Sequence, residues 1–182
     1  PYDEVLRPIF SDDGRRYAYL AERERKVFLV VDGKEELGPF DGMRARFSSD
    51  GRRLLYEARA GDKTQVVLDG QELGQYDEVT DAVFSDDGQQ VAYAARVGQD
   101  AFVVVNGKPG KAYREIWKDS LRFSPDGKRV GFIAVNKTGG NYWVPVVDGK
   151  EGAKFDWGTP LVSHPGSALN LKVSGTLVFS PD

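Results

Sequence analysis

Short runs of alternating and continuous apolar residues recur along this chain in a fixed frame. "FSDDGRRYAYLAERERKVFLVVDGK" begins at Phe10, "FSSDGRRLLYEARAGDKTQVVLDGQ" at Phe47 and "FSDDGQQVAYAARVGQDAFVVVNGK" at Phe84. A fourth version, "FSPDGKRVGFIAVN", begins at Phe123, and "TLVFS" returns at 176–180. The anchor phenylalanines Phe10, Phe47, Phe84, Phe123 and Phe179 are 37, 37, 39 and 56 residues apart. Within a unit, "QQVAYAA" alternates with period two, as a half-buried strand does. "AFVVVNG" is a continuous apolar run, which suits a strand covered on both faces. "GKPGKAY" is short and polar and carries Pro109, which suits an edge strand. No segment holds a helical period.

The runs are punctuated by turn chemistry in the same frame. Ser-x-Asp-Gly follows each of the first four phenylalanines, at Ser11–Gly14, Ser48–Gly51, Ser85–Gly88 and Ser124–Gly127. Aspartate bonding its own backbone, then glycine at positive φ, is a hairpin turn with a bulge. Later in each unit come Asp32-Gly33, Asp69-Gly70, Asn106-Gly107 and Asp148-Gly149, the pattern of a two-residue hairpin. An aromatic step opens each unit: Tyr2-Asp3, Phe40-Asp41, Tyr76-Asp77, Tyr113-Arg114 and Phe155-Asp156. One unit is therefore a four-stranded antiparallel meander of about forty residues, the size of a propeller blade. One such sheet cannot bury both faces alone, and stacking sheets of the same kind solves that.

"FSPDGKRVGFIA", "FSDDGRRYAYLA" and "FSDDGQQVAYAA" resemble the WD-repeat-like β-propeller repeat of TolB-like proteins. The resemblance spans almost the whole chain, without the Trp-Asp dipeptide of the eukaryotic scaffold branch. It implies an all-β fold, a β-propeller of four complete four-stranded blades plus the first strand of a fifth. The units fall at 2–39, 40–75, 76–112 and 113–154, with a partial unit at 155–182. That fifth unit is expected to hold a first strand and no partner strand within the chain. The expectation is a piece of a larger ring, since the chain stops inside its own motif. A closed four-bladed ring with a C-terminal tail is the competing arrangement.

Composition narrows the function only by exclusion. The chain has 182 residues, 40% hydrophobic and 29% charged, with a net charge of −3. No large basic field is present to recruit nucleic acid or anionic lipid. No apolar run approaches the ~20 residues of a membrane-spanning helix, so no membrane insertion is expected. There is no cysteine and one histidine, His164, which removes the usual zinc ligand sets. The aspartates of the Ser-x-Asp-Gly turns lack the oxygen-rich loop of a calcium site. No Gly-x-Ser-x-Gly elbow and no phosphate-cradling glycine loop appears. Ser163 beside His164 is adjacency in sequence only. The expectation is a chain without catalytic residues, metal or cofactor.

Binding is sought on the variable segments. The two glycine turns of each unit fall at one end of the sheet and are nearly constant. The second-to-third-strand loops "AERERK", "ARAGDK", "ARVGQD" and "VNKTGGN" and the unit junctions fall at the other end and differ. Loops on a rigid scaffold are where binding usually resides. They carry the candidate residues Arg23, Arg25, Arg59, Arg96 and Lys137, with Trp117 and Trp157, types enriched at binding hot spots. The arginines equally suit a solvated, salt-bridged rim, and the unit-opening aromatics suit packing between sheets. The long interval at 156–175 suits a partner-binding insertion or a tolerated surface loop.

Three functional readings remain. The first is a non-enzymatic scaffold that binds a protein or peptide partner through the variable loops, and the resemblance implies such a role, often outside the cytoplasm. The second is a carbohydrate-binding propeller whose equivalent pockets expose Tyr2, Phe40, Tyr76, Tyr113 and Phe155. The third is the propeller domain of a larger hydrolase of prolyl-oligopeptidase type.

Overall fold

In the computed structural model the described residues are 1–137, 142–156, 169–172 and 176–179. They form strands and turns, with no helix among them. The first sheet runs in the order β1 (Glu4–Phe10), β2 (Tyr17–Arg23), β3 (Lys26–Val31) and β4 (Glu35–Phe40). The second repeats it with β5 (Gly42–Phe47), β6 (Leu54–Ala60), β7 (Lys63–Leu68) and β8 (Gln71–Tyr76). The third has β9 (Glu78–Phe84), β10 (Val91–Val97), β11 (Asp100–Val105) and β12 (Lys108–Pro109). Every sequential pair given a register is antiparallel, as the repeat predicts.

The fourth sheet keeps the meander but interrupts its two lateral strands. β13 (Glu115–Ile116) and β14 (Arg122–Phe123) both pair with β15 (Val130–Val135). β17 (Lys150–Glu151) and β18 (Phe155–Asp156) both pair with β16 (Tyr142–Val147). The break in the fourth position is shared by the third sheet, where β12 ends at Pro109 and pairing resumes at the Ala101–Tyr113 bridge. In both, a glycine N–H reaches back across the break, Gly110 to Val103 O at 2.9 Å and Gly152 to Pro145 O at 2.8 Å.

The last pair corrects one expectation. β20 (Thr176–Phe179) is a strand, but it has a partner, β19 (Leu169–Lys172), inside the interval read as an insertion or loop. Phe40 and Tyr76 also close β4 and β8 rather than opening the units that follow.

The turns show why four residues repeat. Ser11 is buried, and its hydroxyl donates to Asp13 Oδ1 at 2.7 Å and accepts the Arg16 N–H at 2.9 Å. The same hydroxyl donates at Ser48 to Asp50 at 2.6 Å, at Ser85 to Asp87 at 2.5 Å and at Ser124 to Asp126 at 2.6 Å. At the other hairpin Asp32, Asp69, Asn106 and Asp148 all have φ between 49° and 52°, each followed by a glycine at positive φ. Both central residues in the left-handed region make a type I′ turn.

Two compact units result, residues 1–79 and 80–182. In the first, Ala18, Leu20, Leu29 and Val31 of sheet one pack on Leu54, Tyr56, Ala58 and Val67 of sheet two. In the second, Ala92 and Val103 pack with Leu121, Val130, Phe132, Ala134, Val144 and Val146 around the buried ring of Tyr113.

Candidate functional site

The two ends of each sheet differ in how their polar groups are used. At the glycine-turn end, side chains finish the backbone. Asp32 Oδ1 accepts the Tyr17 N–H at 3.0 Å while its Oδ2 accepts Arg16 Nε at 3.0 Å. Asp69 does the same for Leu54 and Arg53, and Asp148 for Val130 and Arg129. The third repeat exchanges both partners: Asn106 Oδ1 accepts the Val91 N–H at 3.0 Å and its Nδ2 meets Gln90 Oε1 at 3.5 Å. The carboxyls of Asp13, Asp50 and Asp126 lie below the ordinary value, first because each accepts its serine hydroxyl and then a backbone N–H. Partial desolvation works to raise the Asp32 carboxyl, and its bonds to Tyr17 N–H and Arg16 outweigh this.

At the loop end of the first unit, the unit-opening aspartates act as caps. Asp3 Oδ2 accepts the Glu24 N–H at 2.8 Å, and Asp41 Oδ2 accepts the Gly61 N–H at 2.7 Å. Lys26 pairs with Asp41 and Lys63 with Asp77. The Lys26 bond, then the Gly61 N–H, holds the Asp41 carboxyl low, and Asp77 raises the Lys63 ammonium. The cap matters most in the first repeat, where Glu24 and Arg25 turn the chain at φ 54° and 61° without a glycine. Non-glycine residues in that region are costly unless their surroundings hold them.

The candidate residues separate on this frame. Arg25 is exposed at the tip of its turn, and Arg59 is exposed with Nε donating to Gly61 O at 3.1 Å. Arg23 is half-buried, its guanidinium 4.4 Å from the Phe28 ring centre and 5.6 Å from that of Tyr2. In the second unit Arg96 is half-buried and donates to Arg114 O at 3.4 Å, while exposed Lys137 pairs with Asp100. Trp157 lies outside the described residues, as does His164.

Trp117 has the most developed setting. The residue is 38% exposed, and its ring stands edge-on to buried Trp143, with centroids 4.4 Å apart at 77°. Its backbone is fixed at both ends: its N–H donates to Ile133 O at 2.8 Å and its carbonyl accepts the Ser120 hydroxyl at 2.6 Å. Ser120 is itself buried and takes the Ile133 N–H at 3.1 Å. Sequence reading singled out Trp117 but not its platform, because Trp143 sits in an apolar strand run and reads as core.

The five recurrent aromatics are not a set of exposed platforms. Tyr76 and Tyr113 are buried, and Tyr2, Phe40 and Phe155 are half-buried. The Tyr113 hydroxyl has no hydrogen-bond partner among the described residues. Burial, then the nearby Glu151 charge, pushes it up to about 12. Glu151 is committed to Lys111 Nζ at 2.6 Å and Asn136 Nδ2 at 3.3 Å, and the lysine bond is the main cause of its lowered carboxyl. Among the described residues no three His, Cys, Asp or Glu side chains gather as a metal site would require.

No family model matches the chain, and no curated protein matches it by sequence. Solved structures do. The chain is similar to TolB from Acinetobacter baumannii, with a TM-score of 0.52 and 16% identity over 84% of this chain. It is similar to the β-propeller domain of the Trilobed protease from Pyrococcus furiosus, with a TM-score of 0.56 and 9% identity over 93% of this chain. It is also similar to a prolyl endopeptidase, with a TM-score of 0.50 and 14% identity over 83% of this chain. The chain spans 43%, 59% and 29% of those three chains respectively. At such identities the likeness establishes fold alone, and the fold is an all-β propeller of four four-stranded sheets and a partial fifth.

Proposed function

We propose that this chain is a non-enzymatic propeller scaffold that binds a protein or peptide partner through the loop ends of its sheets. The observation that carries the proposal is Trp117. It is an exposed aromatic fixed by backbone bonds and backed by Trp143, and no other repeat has a tryptophan at its place. Rigid, half-exposed tryptophans lose little side-chain entropy on binding and are enriched at hot spots.

Selection of peptides from a displayed random library against the whole chain tests this. Peptides that bind the parent should bind Trp117→Ala at least about tenfold more weakly, the scale of a hot-spot truncation. They should bind Lys128→Ala, altered at the glycine-turn end, as they bind the parent. Binding indifferent to Trp117→Ala removes the proposal.

A second reading is the propeller domain of a larger hydrolase. Its support is that two of the similar structures are a protease's propeller domain and a prolyl endopeptidase. It predicts recovery of a hydrolase domain in covalent continuity with this chain from the natural source. The carbohydrate reading draws no support from the five recurrent aromatics, since none of them is exposed.

A further inference from the structure

Among the described residues eight non-glycine positions have positive φ, and they fall into two groups. Glu24, Arg25, Asp32, Asp69, Asn106 and Asp148 turn hairpins between consecutive strands. Asp81 and Asp119, at φ 54° and 62°, do not. Asp81 lies within β9 of the third sheet, and Asp119 lies between β13 and β14 of the fourth. A hydrogen bond joins these two: the Asp119 N–H donates to Asp81 Oδ2 at 2.7 Å. Non-glycine residues hold such a backbone at a cost, and they gather where a site needs the shape.

The repeat shows what is unusual here. Tyr113 to Phe123 spans ten positions where Tyr76 to Phe84 spans eight, so the first strand of the fourth sheet carries two added residues. They divide that strand into β13 and β14 and leave Trp117–Ser120 as a bulge between them. Asp81 departs from the repeat as well. Three positions before the anchor phenylalanine the first two repeats carry Arg7 and Arg44, neither at positive φ. The third carries Asp81 and the fourth Ser120, and both act on the bulge. Ser120 holds it from within its own sheet, its hydroxyl donating to Trp117 O at 2.6 Å and accepting the Ile133 N–H at 3.1 Å. Asp81 holds it from the third sheet, through Asp119.

We infer that Asp81 is a positioning residue for Trp117, an inference that rests on reading Trp117 as the contact for a peptide partner. The Asp81 carboxylate fixes the Asp119 N–H, the end of the bulge that Ser120 leaves open. With both ends fixed, the Trp117 ring keeps its edge-on stance against Trp143. A carboxylate on a backbone N–H is among the stronger hydrogen bonds. A contact held in place before binding loses less on binding, and it needs support from residues that never touch the partner.

Two variants separate the carboxylate from the backbone beneath it. Asp81→Gly keeps the left-handed backbone accessible and removes the acceptor, while Asp81→Asn keeps both. In a Trp157→Phe background Trp117 and Trp143 are the remaining indoles, and their edge-on pair should give an exciton couplet in far-ultraviolet circular dichroism that Trp143→Phe abolishes. Asp81→Gly should weaken that couplet. It should also weaken peptides selected through Trp117 by about two- to tenfold, the range to which the net contribution of one hydrogen bond converts. Asp81→Asn should keep couplet and affinity. In the parent, hydrogen exchange read by NMR should show the Asp119 amide slower than that of Lys118, after correction for sequence, a measurement that needs no variant to fold. An Asp119 amide as fast as Lys118 overturns the inference, and so does a parental couplet in Asp81→Gly or an equal loss in Asp81→Asn. Peptides that lose affinity in Trp117→Ala but not in Asp81→Gly overturn it and leave the binding proposal standing. Peptides indifferent to Trp117→Ala remove the binding proposal, and this inference with it.

Discussion

Replacing Ser48 by alanine tests the turn chemistry most directly. Ser48 is 1% exposed, donates to Asp50 Oδ1 at 2.6 Å and accepts the Arg53 N–H at 3.0 Å. Alanine keeps the volume and removes both bonds. The lost hydroxyl bond costs about 1 kcal/mol net, and a buried N–H left without a partner costs about 1–3 kcal/mol. The sum is about 2–3 kcal/mol, since some solvent reaches the turn. For a chain of this size each kcal/mol moves the melting midpoint by about 2–4 °C, so Ser48→Ala should melt about 4–12 °C below the parent. Urea denaturation followed by circular dichroism should show the same loss at an unchanged m-value. The effect should also depend on pH. The Asp50 carboxyl is held below its ordinary value of 3.8, first by the Ser48 hydroxyl and then by the Arg52 N–H. A depressed folded pKa stabilises above the unfolded value and loses that contribution as pH falls through the folded one. The gap between parent and variant should therefore narrow on acidification below pH about 4. A loss under about 0.5 kcal/mol at neutral pH, the size of an ordinary surface change, refutes the reasoning.

Other expectations follow from the same geometry. Gln90→Arg and Asn106→Asp should each destabilise the third repeat slightly, and together they should recover about 0.5–1 kcal/mol in a double-mutant cycle, because the pair then matches its three siblings. Additive effects would show that the two positions are independent. Gly14 and Gly51 share φ near 67° and 68°, but only Gly51 has a neighbour in reach of a Cβ. Both alanine variants should lose about 1 kcal/mol to the left-handed backbone, and Gly51→Ala should lose about 1 kcal/mol more in denaturant titrations; equal losses would discard the contact. Tyr113→Phe should leave stability at neutral pH equal or higher by about 1 kcal/mol, since it deletes a buried hydroxyl without a partner. The folded Tyr113 pKa of about 12 lies above the ordinary 10.0, so its contribution is complete below pH 10 and lost as pH rises toward 12. That alkaline loss should be smaller in Tyr113→Phe when midpoints are compared across the interval.

Strands and hairpins were legible because each signal was local. The φ values near 50° at Asp32, Asp69, Asn106 and Asp148 are what an Asp-Gly or Asn-Gly pair between apolar runs demands. What escaped was non-local. The serine of Ser-x-Asp-Gly reads as a polar turn residue, yet it is buried and ties a carboxylate to an N–H five residues on. Phe40 and Tyr76 read as openers because their aspartates cap the loops that follow; their own backbones finish the preceding sheets. Strand β19 escaped because Leu169–Lys172 lies in a long interval without the Asp-Gly or Asn-Gly pair that marks the other hairpins. Among the candidate residues, Arg23 was read by charge, while its stacking on Phe28 depends on a cross-strand neighbour.

The third repeat explains why one end of these sheets is uniform and the other is not. Gln90 and Asn106 replace an arginine and an aspartate together, and the Val91 N–H is still satisfied. Gln90 still reaches the next turn, at Gly127 O. The constraint is therefore on the bonds and not on the residue types or their charge. Changing one member alone would leave an N–H, a carbonyl or a charge without its counterpart, which costs more than the pair contributes. The loop ends vary more: Glu24-Arg25 turns without a glycine where its sibling uses Gly61, and a different aspartate, Asp3 or Asp41, caps each backbone. A loop whose backbone is finished by a residue outside it can change its own side chains freely. Trp117 stands on that more variable end, with its carbonyl held by Ser120 and its ring edge-on to Trp143, so the binding proposed for it rests on a side chain whose setting the repeat does not dictate.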